Sequence, residues 1–245
     1  MVSPNSAKPP LAPDIVAEIF QSPRAVIAWG PGPAAARVEP GGFRLTGRFH
    51  FASGSRHATW LGANVPAVLA DGSPQIGPGG QRQTYTLLFP RARALVEDTW
   101  HVIGLKGTGS DSYSVEDLFV PDAYAVPRGG RVRPRVGGRL YDFTPSTLYA
   151  SSFASIALGI ARATLDAYVR DVRDHVPRGA KERRGDNHVL QAEVGKAEAR
   201  LRSARMFLFG SLDEIWRDVQ ASHCLSEAQR LTIRLASTLA IQHAL

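Results

Sequence analysis

The spacing of apolar residues changes character near position 141. Before that point they alternate in short runs cut by Gly and Pro, and after it they recur every three to four positions. The alternation is densest in residues 41–60, GGFRLTGRFHFASGSRHATW, where Phe43, Leu45, Gly47, Phe49 and Phe51 occupy every second place before Ser53-Gly54-Ser55 interrupts them. A strand that delivers such a small-residue bend can hold a planar ligand. Further short apolar runs lie at 24–29, 34–38, 59–70, 83–89, 93–96, 100–105 and 113–120. Between them stand Gly30-Pro31-Gly32-Pro33, Pro40-Gly41-Gly42 and Asp71-Gly72, where Pro fixes φ and Gly supplies positive φ. Many short strands between such turns predict a β-barrel or sandwich.

The second half predicts three helices. Thr144 before Pro145 reads as an N-cap followed by proline in the first turn, and Leu148, Ile156, Ile160, Leu165, Tyr168, Val169 and Val172 form the expected buried stripe. A second helix starts near Asn187, with Leu190, Val194, Ala197, Leu201, Ala204 and Leu208 on one face. The third begins at Ser226, where Ser226-Glu227-Ala228-Gln229 fits a capping box, and carries Leu231, Leu235 and Leu239. Helices of this length pack lengthwise in a bundle.

Four segments follow. Residues 1–13, with four prolines and no hydrophobic period, read as a disordered tail. Residues 14–126 form the β domain, opened by a short helix at 14–20. The stretch 127–140 contains PRGGRVRPRVGGR, whose four glycines and five arginines are a linker signature. Residues 141–245 form the helical domain. The fold class is α+β, a β-barrel or sandwich followed by an incomplete antiparallel helical bundle.

Composition narrows the function classes. The 44% hydrophobic and 21% charged content is that of a folded globular chain. A net charge of +7, carried almost wholly by arginine, suits an anionic ligand, but no clustered aromatic and basic face points to nucleic acid. The single Cys224 excludes an intrachain disulfide and fits a cytoplasmic setting. No signal-peptide core is visible, and no run approaches the ~18 consecutive apolar residues of a membrane span. The seven histidines fall in no metal-ligand spacing, so no metal is expected. No nucleophile elbow or Walker sequence occurs. Gly107-Thr108-Gly109-Ser110 invites a phosphate-loop reading, but with no helix after it a plain tight turn is the better one.

Three signatures, in order, resemble a known family. Residues 41–54 followed by His57-Ala58-Thr59-Trp60 look like the central β domain of the acyl-CoA dehydrogenase superfamily, closer to its two-component flavin-dependent monooxygenases than to the fatty-acid enzymes. Trp100-His-Val-Ile-Gly-Leu-Lys-Gly-Thr-Gly-Ser110, ending in Asp117-Leu-Phe-Val-Pro121, resembles the next signature. Ser155-Ile-Ala-Leu-Gly-Ile-Ala-Arg162 and Ala199-Arg-Leu-Arg-Ser-Ala-Arg205 resemble the front of the C-terminal helical domain.

The resemblance implies a flavin, FMN or FAD, supplied reduced by a separate reductase. It implies Phe51 and Gly54 as cofactor contacts, and Ser53 as both a cofactor contact near flavin N5 and the catalytic hydroxyl. Arg173 matches the arginine that reaches the FAD pyrophosphate in the dehydrogenases, although Asp174-His175-Val176 replaces their Gln-Phe-Gly. The implied activity is hydroxylation of a small organic substrate with reduced flavin and O₂. The alternatives are desaturation of an acyl-CoA, for which no carboxylate base can be assigned, and a non-catalytic truncated homologue. The family also implies a homo-oligomer, a tetramer, and further helices at both ends, among them the N-terminal helical domain and the part that carries the catalytic base.

Overall fold

The computed structural model describes residues 11–77, 79–128, 138–179 and 181–245. Most of the expected tail, residues 1–10, and most of the expected linker, residues 129–137, lie outside the described residues. The chain divides into two compact units, one ending at Arg135 and one beginning at Val136.

In the first unit a short helix α1 (Pro13–Ile19) precedes eight strands among the described residues: β1 (Ile27–Trp29), β2 (Ala35–Glu39), β3 (Gly42–Ala52), β4 (Trp60–Val68), β5 (Thr84–Pro90), β6 (Leu95–Glu97), β7 (Asp111–Pro121) and β8 (Ala125–Arg128). They form one mixed sheet in the order β6-β7-β3-β2-β4-β5-β8, with β1 paired to β4. Most pairs are antiparallel; β1 and β2 each run parallel to β4. The alternating pattern works as its period dictates: Phe43, Leu45 and Phe49 of β3 meet Leu61, Val65, Leu87, Tyr113 and Val120 in one core. The Tyr113 hydroxyl donates to the Gly62 carbonyl at 2.6 Å, so the largest fully buried ring also satisfies its polar end.

Gly30 and Gly32 let the chain cross β3 backbone to backbone. A Cβ on Gly30 would stand 2.0 Å from the His50 carbonyl oxygen, and one on Gly32 would stand 2.1 Å from that of Arg48. The crossing is fastened by the His50 N–H, which donates to the Pro31 carbonyl at 2.8 Å. The run at 100–105, expected to alternate like a strand, is an irregular loop that ends in a 3₁₀ turn over Lys106–Thr108.

The second unit contains α2 (Pro145–Arg173), α3 (His188–Ser222) and α4 (Glu227–Ala244). All three caps form as their sequences dictate. Thr144 Oγ1 accepts from Thr147 N–H, Asn187 Oδ1 accepts from Val189 and Leu190, and Ser226 with Gln229 completes a reciprocal capping box. The helices meet through small residues, with Ala154 and Leu158 of α2 against Leu201, Ala204 and Leu208 of α3 and Ala236 and Ala240 of α4.

The expected α3 stripe is the observed one from Leu201 to Leu208. The other two stripes need correction. Ile156 and Ile160 are 58% and 64% exposed, and Leu231 and Leu235 of α4 are also exposed. Close approach of helix axes selects small side chains at the contact, which leaves the larger ones outside. No run of ~18 consecutive apolar residues occurs in α2, yet by length and mean composition it is apolar enough to cross a membrane, because its alanines, leucines and isoleucines outweigh the serines and charges among them.

Candidate functional site

The site lies where β3 ends. Phe49 pairs with Tyr113 and Ala52 with Asp111, so three steps along β3 oppose two along β7 and one residue is extra. This is a β-bulge, a device that re-aims a side chain. Phe51 sits in it with φ at 54°, a left-handed backbone that costs an L-residue about 1 kcal/mol or more. The ring that simple alternation assigns to the core side is therefore turned out, 64% exposed, in a T-shaped contact with Trp100 at 6.0 Å between centroids and 83° between planes.

Beyond the bulge the chain turns tightly. Ser53 N–H donates to the Phe51 carbonyl at 2.9 Å, and Gly54, at φ 81°, donates its N–H to the Thr108 carbonyl at 2.8 Å. The strand end is thus tied to the loop that precedes β7. Ser53 Oγ lies 2.8 Å from Ser110 Oγ, which lies 2.6 Å from Thr108 Oγ1, and Thr108 Oγ1 donates to the Leu105 carbonyl at 3.0 Å. Ser110 is buried while Ser53 is exposed at the head of this file of hydroxyls.

Asp111 anchors the loop from beneath. Its carboxylate, 2% exposed, receives Arg56 Nε at 2.6 Å and the N–H groups of Thr99 and Trp100 at 3.1 and 3.0 Å. The Arg56 guanidinium, followed by those two N–H groups, holds its pKa below the ordinary aspartate value in spite of burial. Arg56 also pairs with Asp98 at 2.6 Å. Trp100 Nε1–H donates to the Leu105 carbonyl at 3.0 Å, so the indole that meets Phe51 is held at both backbone and ring. Beside it, Ser112 Oγ contacts His50 Nδ1 and accepts from Thr99 Oγ1, both at 3.0 Å.

The structure brings three of the four expected residues together: Phe51, Ser53 and Gly54 share one strand end. Arg173 belongs to the helical unit, exposed in the last turn of α2. The phosphate-loop idea fails on hydrogen bonds, since the N–H groups of Thr108 and Gly109 turn back onto the carbonyls of Leu105 and Lys106. Trp100, Thr108, Ser110, Asp111 and Arg56 escaped the sequence reading as members of the site. The hydroxyl content of residues 108–112 was the available signal. Two shallow grooves among the described residues lie elsewhere, one along Leu165 and Val194 and one beside Thr46 and Leu95. What Phe51 and Ser53 form is an open wall: one flat apolar ring, one polar edge.

Residues 151–245 match the family described as acyl-CoA dehydrogenase, C-terminal domain. The chain is 34% identical over 228 residues to indole-3-acetate monooxygenase of Pseudomonas putida, a match covering 92% of this chain and 56% of that one. It is 32% identical over 220 residues to the oxygenase component of the FADH(2)-dependent resorcinol hydroxylase of Rhizobium sp. (strain MTP-10005), covering 85% of this chain and 51% of that protein. In fold it is similar to XiaF from Streptomyces sp., solved with FADH2 and glycerol, with a TM-score of 0.80 at 24% identity over 96% of this chain and 59% of that one. The 3-HSA hydroxylase from Rhodococcus sp. RHA1 gives 0.81 at 24% identity, covering 96% and 61%. The chain spans about half the length of the curated relatives it matches. On the family match of the helical unit and the sequence identity to these monooxygenases, the chain belongs to the acyl-CoA dehydrogenase superfamily, in the branch of two-component flavin-dependent monooxygenases.

Proposed function

We propose that the protein is the oxygenase component of a flavin-dependent hydroxylase that takes reduced FMN or FAD from a separate reductase and acts on a small organic substrate. One observation carries this reading: a left-handed bulge that turns the Phe51 ring out beside the exposed Ser53 hydroxyl. A flat tricyclic ring fits such a wall, with one face on apolar carbon and one heteroatom at the hydroxyl. The solved relatives include XiaF with FADH2 and an FMN-bound dibenzothiophene monooxygenase from Paenibacillus sp. A11-2. A bound reduced flavin supplies the electrons that activate O₂.

The protein's own share is orientation and electrostatics. Phe51 sets the plane of the ring and keeps water from that face, Trp100 braces Phe51, and Gly54 admits the close turn that presents Ser53. Ser53 is assigned as the catalytic hydroxyl at the reacting edge. Arg173 is the candidate for an anionic group of the cofactor, through its permanent charge. Acyl-CoA desaturation needs a carboxylate free to take a proton, and of the two in this cluster Asp111 is committed to Arg56 and two backbone N–H groups while Asp98 is paired with Arg56 as well. Association of copies through the helical unit and a cytoplasmic location belong to the same reading.

Titration of the full chain with FMN and FAD, oxidised and anaerobically reduced, tests it by flavin absorbance and fluorescence. Saturable binding of a reduced flavin is expected, weakened about ten-fold by Phe51→Ala or Ser53→Ala through lost ring contact or a lost hydrogen bond. Oxygenated product from a panel of phenols and indoles on admission of air completes the reading. No saturable binding of either reduced flavin sinks it, and binding without product supports a flavin-binding homologue that does not turn over.

A further inference from the structure

A count of protons assigns a direction to the hydroxyl file. Three oxygen–oxygen contacts link Leu105 carbonyl to Thr108 Oγ1, Thr108 Oγ1 to Ser110 Oγ, and Ser110 Oγ to Ser53 Oγ, at 3.0, 2.6 and 2.8 Å. Two oxygens this close with no proton between them face each other lone pair to lone pair, so each contact requires one proton. The carbonyl has none, and each hydroxyl has one. The first contact therefore takes the proton of Thr108, the second that of Ser110 and the third that of Ser53. All three protons point inward, and Ser53 has only lone pairs left to present outward.

The surroundings agree with that direction. Leu105 sits at φ 57°, and its carbonyl, held in place by Trp100 Nε1–H at 3.0 Å and the Thr108 N–H at 3.2 Å, has no proton to give, so the Thr108 hydroxyl is the donor in the contact between them. Ser110 is 5% exposed, which shields the middle of the file from competing water. The Gly54 N–H bonded to the Thr108 carbonyl keeps the two ends of the file in register.

We propose that Ser110 and Thr108 are positioning residues that set the Ser53 hydroxyl as an outward acceptor, so that the wall selects a ring edge bearing N–H over one bearing a bare nitrogen. The inference rests on the flavin reading above. Reduced flavin carries a hydrogen on N5 and can donate to Ser53. Oxidised flavin offers only a lone pair there, which would confront another. The file thus discriminates the reduced cofactor from the oxidised one at a single atom, without a charge and without any movement of the backbone.

The test is anaerobic titration of the full chain with oxidised and with reduced FMN, and then FAD, recording the ratio of the two dissociation constants. Ser110→Ala removes the acceptor of the Ser53 proton and frees that proton to turn outward. Oxidised flavin should then bind more tightly and reduced flavin more weakly, narrowing the ratio about five- to ten-fold, the scale of one neutral hydrogen bond. Thr108→Val, in a half-buried turn, should narrow it in the same direction, and Thr108→Ser should keep the wild-type ratio. The Thr108 pair decides the matter alone if Ser110→Ala fails to fold. An unchanged ratio in variants that still bind reduced flavin overturns the proposal while leaving the flavin reading intact. Absence of binding by the wild type in either oxidation state overturns the flavin reading itself.

Discussion

Asp111 shows how one buried residue supports the wall without touching a ligand. It gathers Arg56 from the turn after β3 and two N–H groups from the loop that carries Trp100, so loss of its charge releases both sides at once. Asp111→Asn is expected to destabilise the protein by about 2 kcal/mol, read by urea unfolding, because a charge-assisted pair is lost and a guanidinium is left half-satisfied. The pH dependence has a fixed sign. A carboxylate whose folded pKa is lowered stabilises the fold at every pH above its unfolded value, and that contribution vanishes as pH falls through the folded value. The stability gap between wild type and Asp111→Asn should therefore be constant near neutrality and close below about pH 4. A gap that widens on acidification contradicts the assignment. None of this was legible in the chain alone, where Asp111 is one acidic residue at the end of a glycine-rich run.

At the level of elements, the caps were the most legible features and the packed faces the least. Thr144 and Ser226 each cap the helix they were expected to cap, and Asn187, near which the second helix was expected to start, caps that one, since a cap is a local interaction between a side chain and N–H groups two or three residues on. Ser226→Ala should cost about 1 kcal/mol in thermal unfolding, and Ser226→Asp should recover most of it. Equal stability of the two variants would deny the capping box any weight. Faces are a different matter. An apolar stripe says that something covers it, and α2 has two: a small one through Ala154 and Leu158 that meets α3 and α4, and a large one through Ile156 and Ile160 that does not. In β3 the alternation correctly placed Phe43, Leu45 and Phe49 in the core. It could not foresee Phe51, because a bulge adds a residue without leaving a mark in the period. The resemblance supplied that residue; the geometry supplied its cause.

Across the molecule, the second stripe of α2 matters for assembly. Tyr149, Phe153, Ile156 and Ile160 recur at spacings of four, three and four and are all exposed, a row spanning about 16 Å of helix. A stripe of that kind suits a second copy of the same helix. Light scattering across a concentration series should report an oligomer, and Phe153→Glu with Ile160→Glu should convert it to monomer while far-ultraviolet circular dichroism stays unchanged. A wild type that is monomeric at every concentration removes this expectation. The net charge of +7 does not oppose association at ordinary ionic strength, because exposed charges are screened beyond roughly 8 Å.

The left-handed backbone at Phe51 also makes that position unusually informative to an engineer. The penalty there belongs to φ, so most L side chains incur it about equally, with Gly and Asn relieved of it and β-branched residues more burdened. Among Phe, Tyr, Trp, Leu, Met and Gln the folding cost at residue 51 is nearly common to all. A library restricted to those six reports on what the wall holds, with little confounding from what holds up the wall.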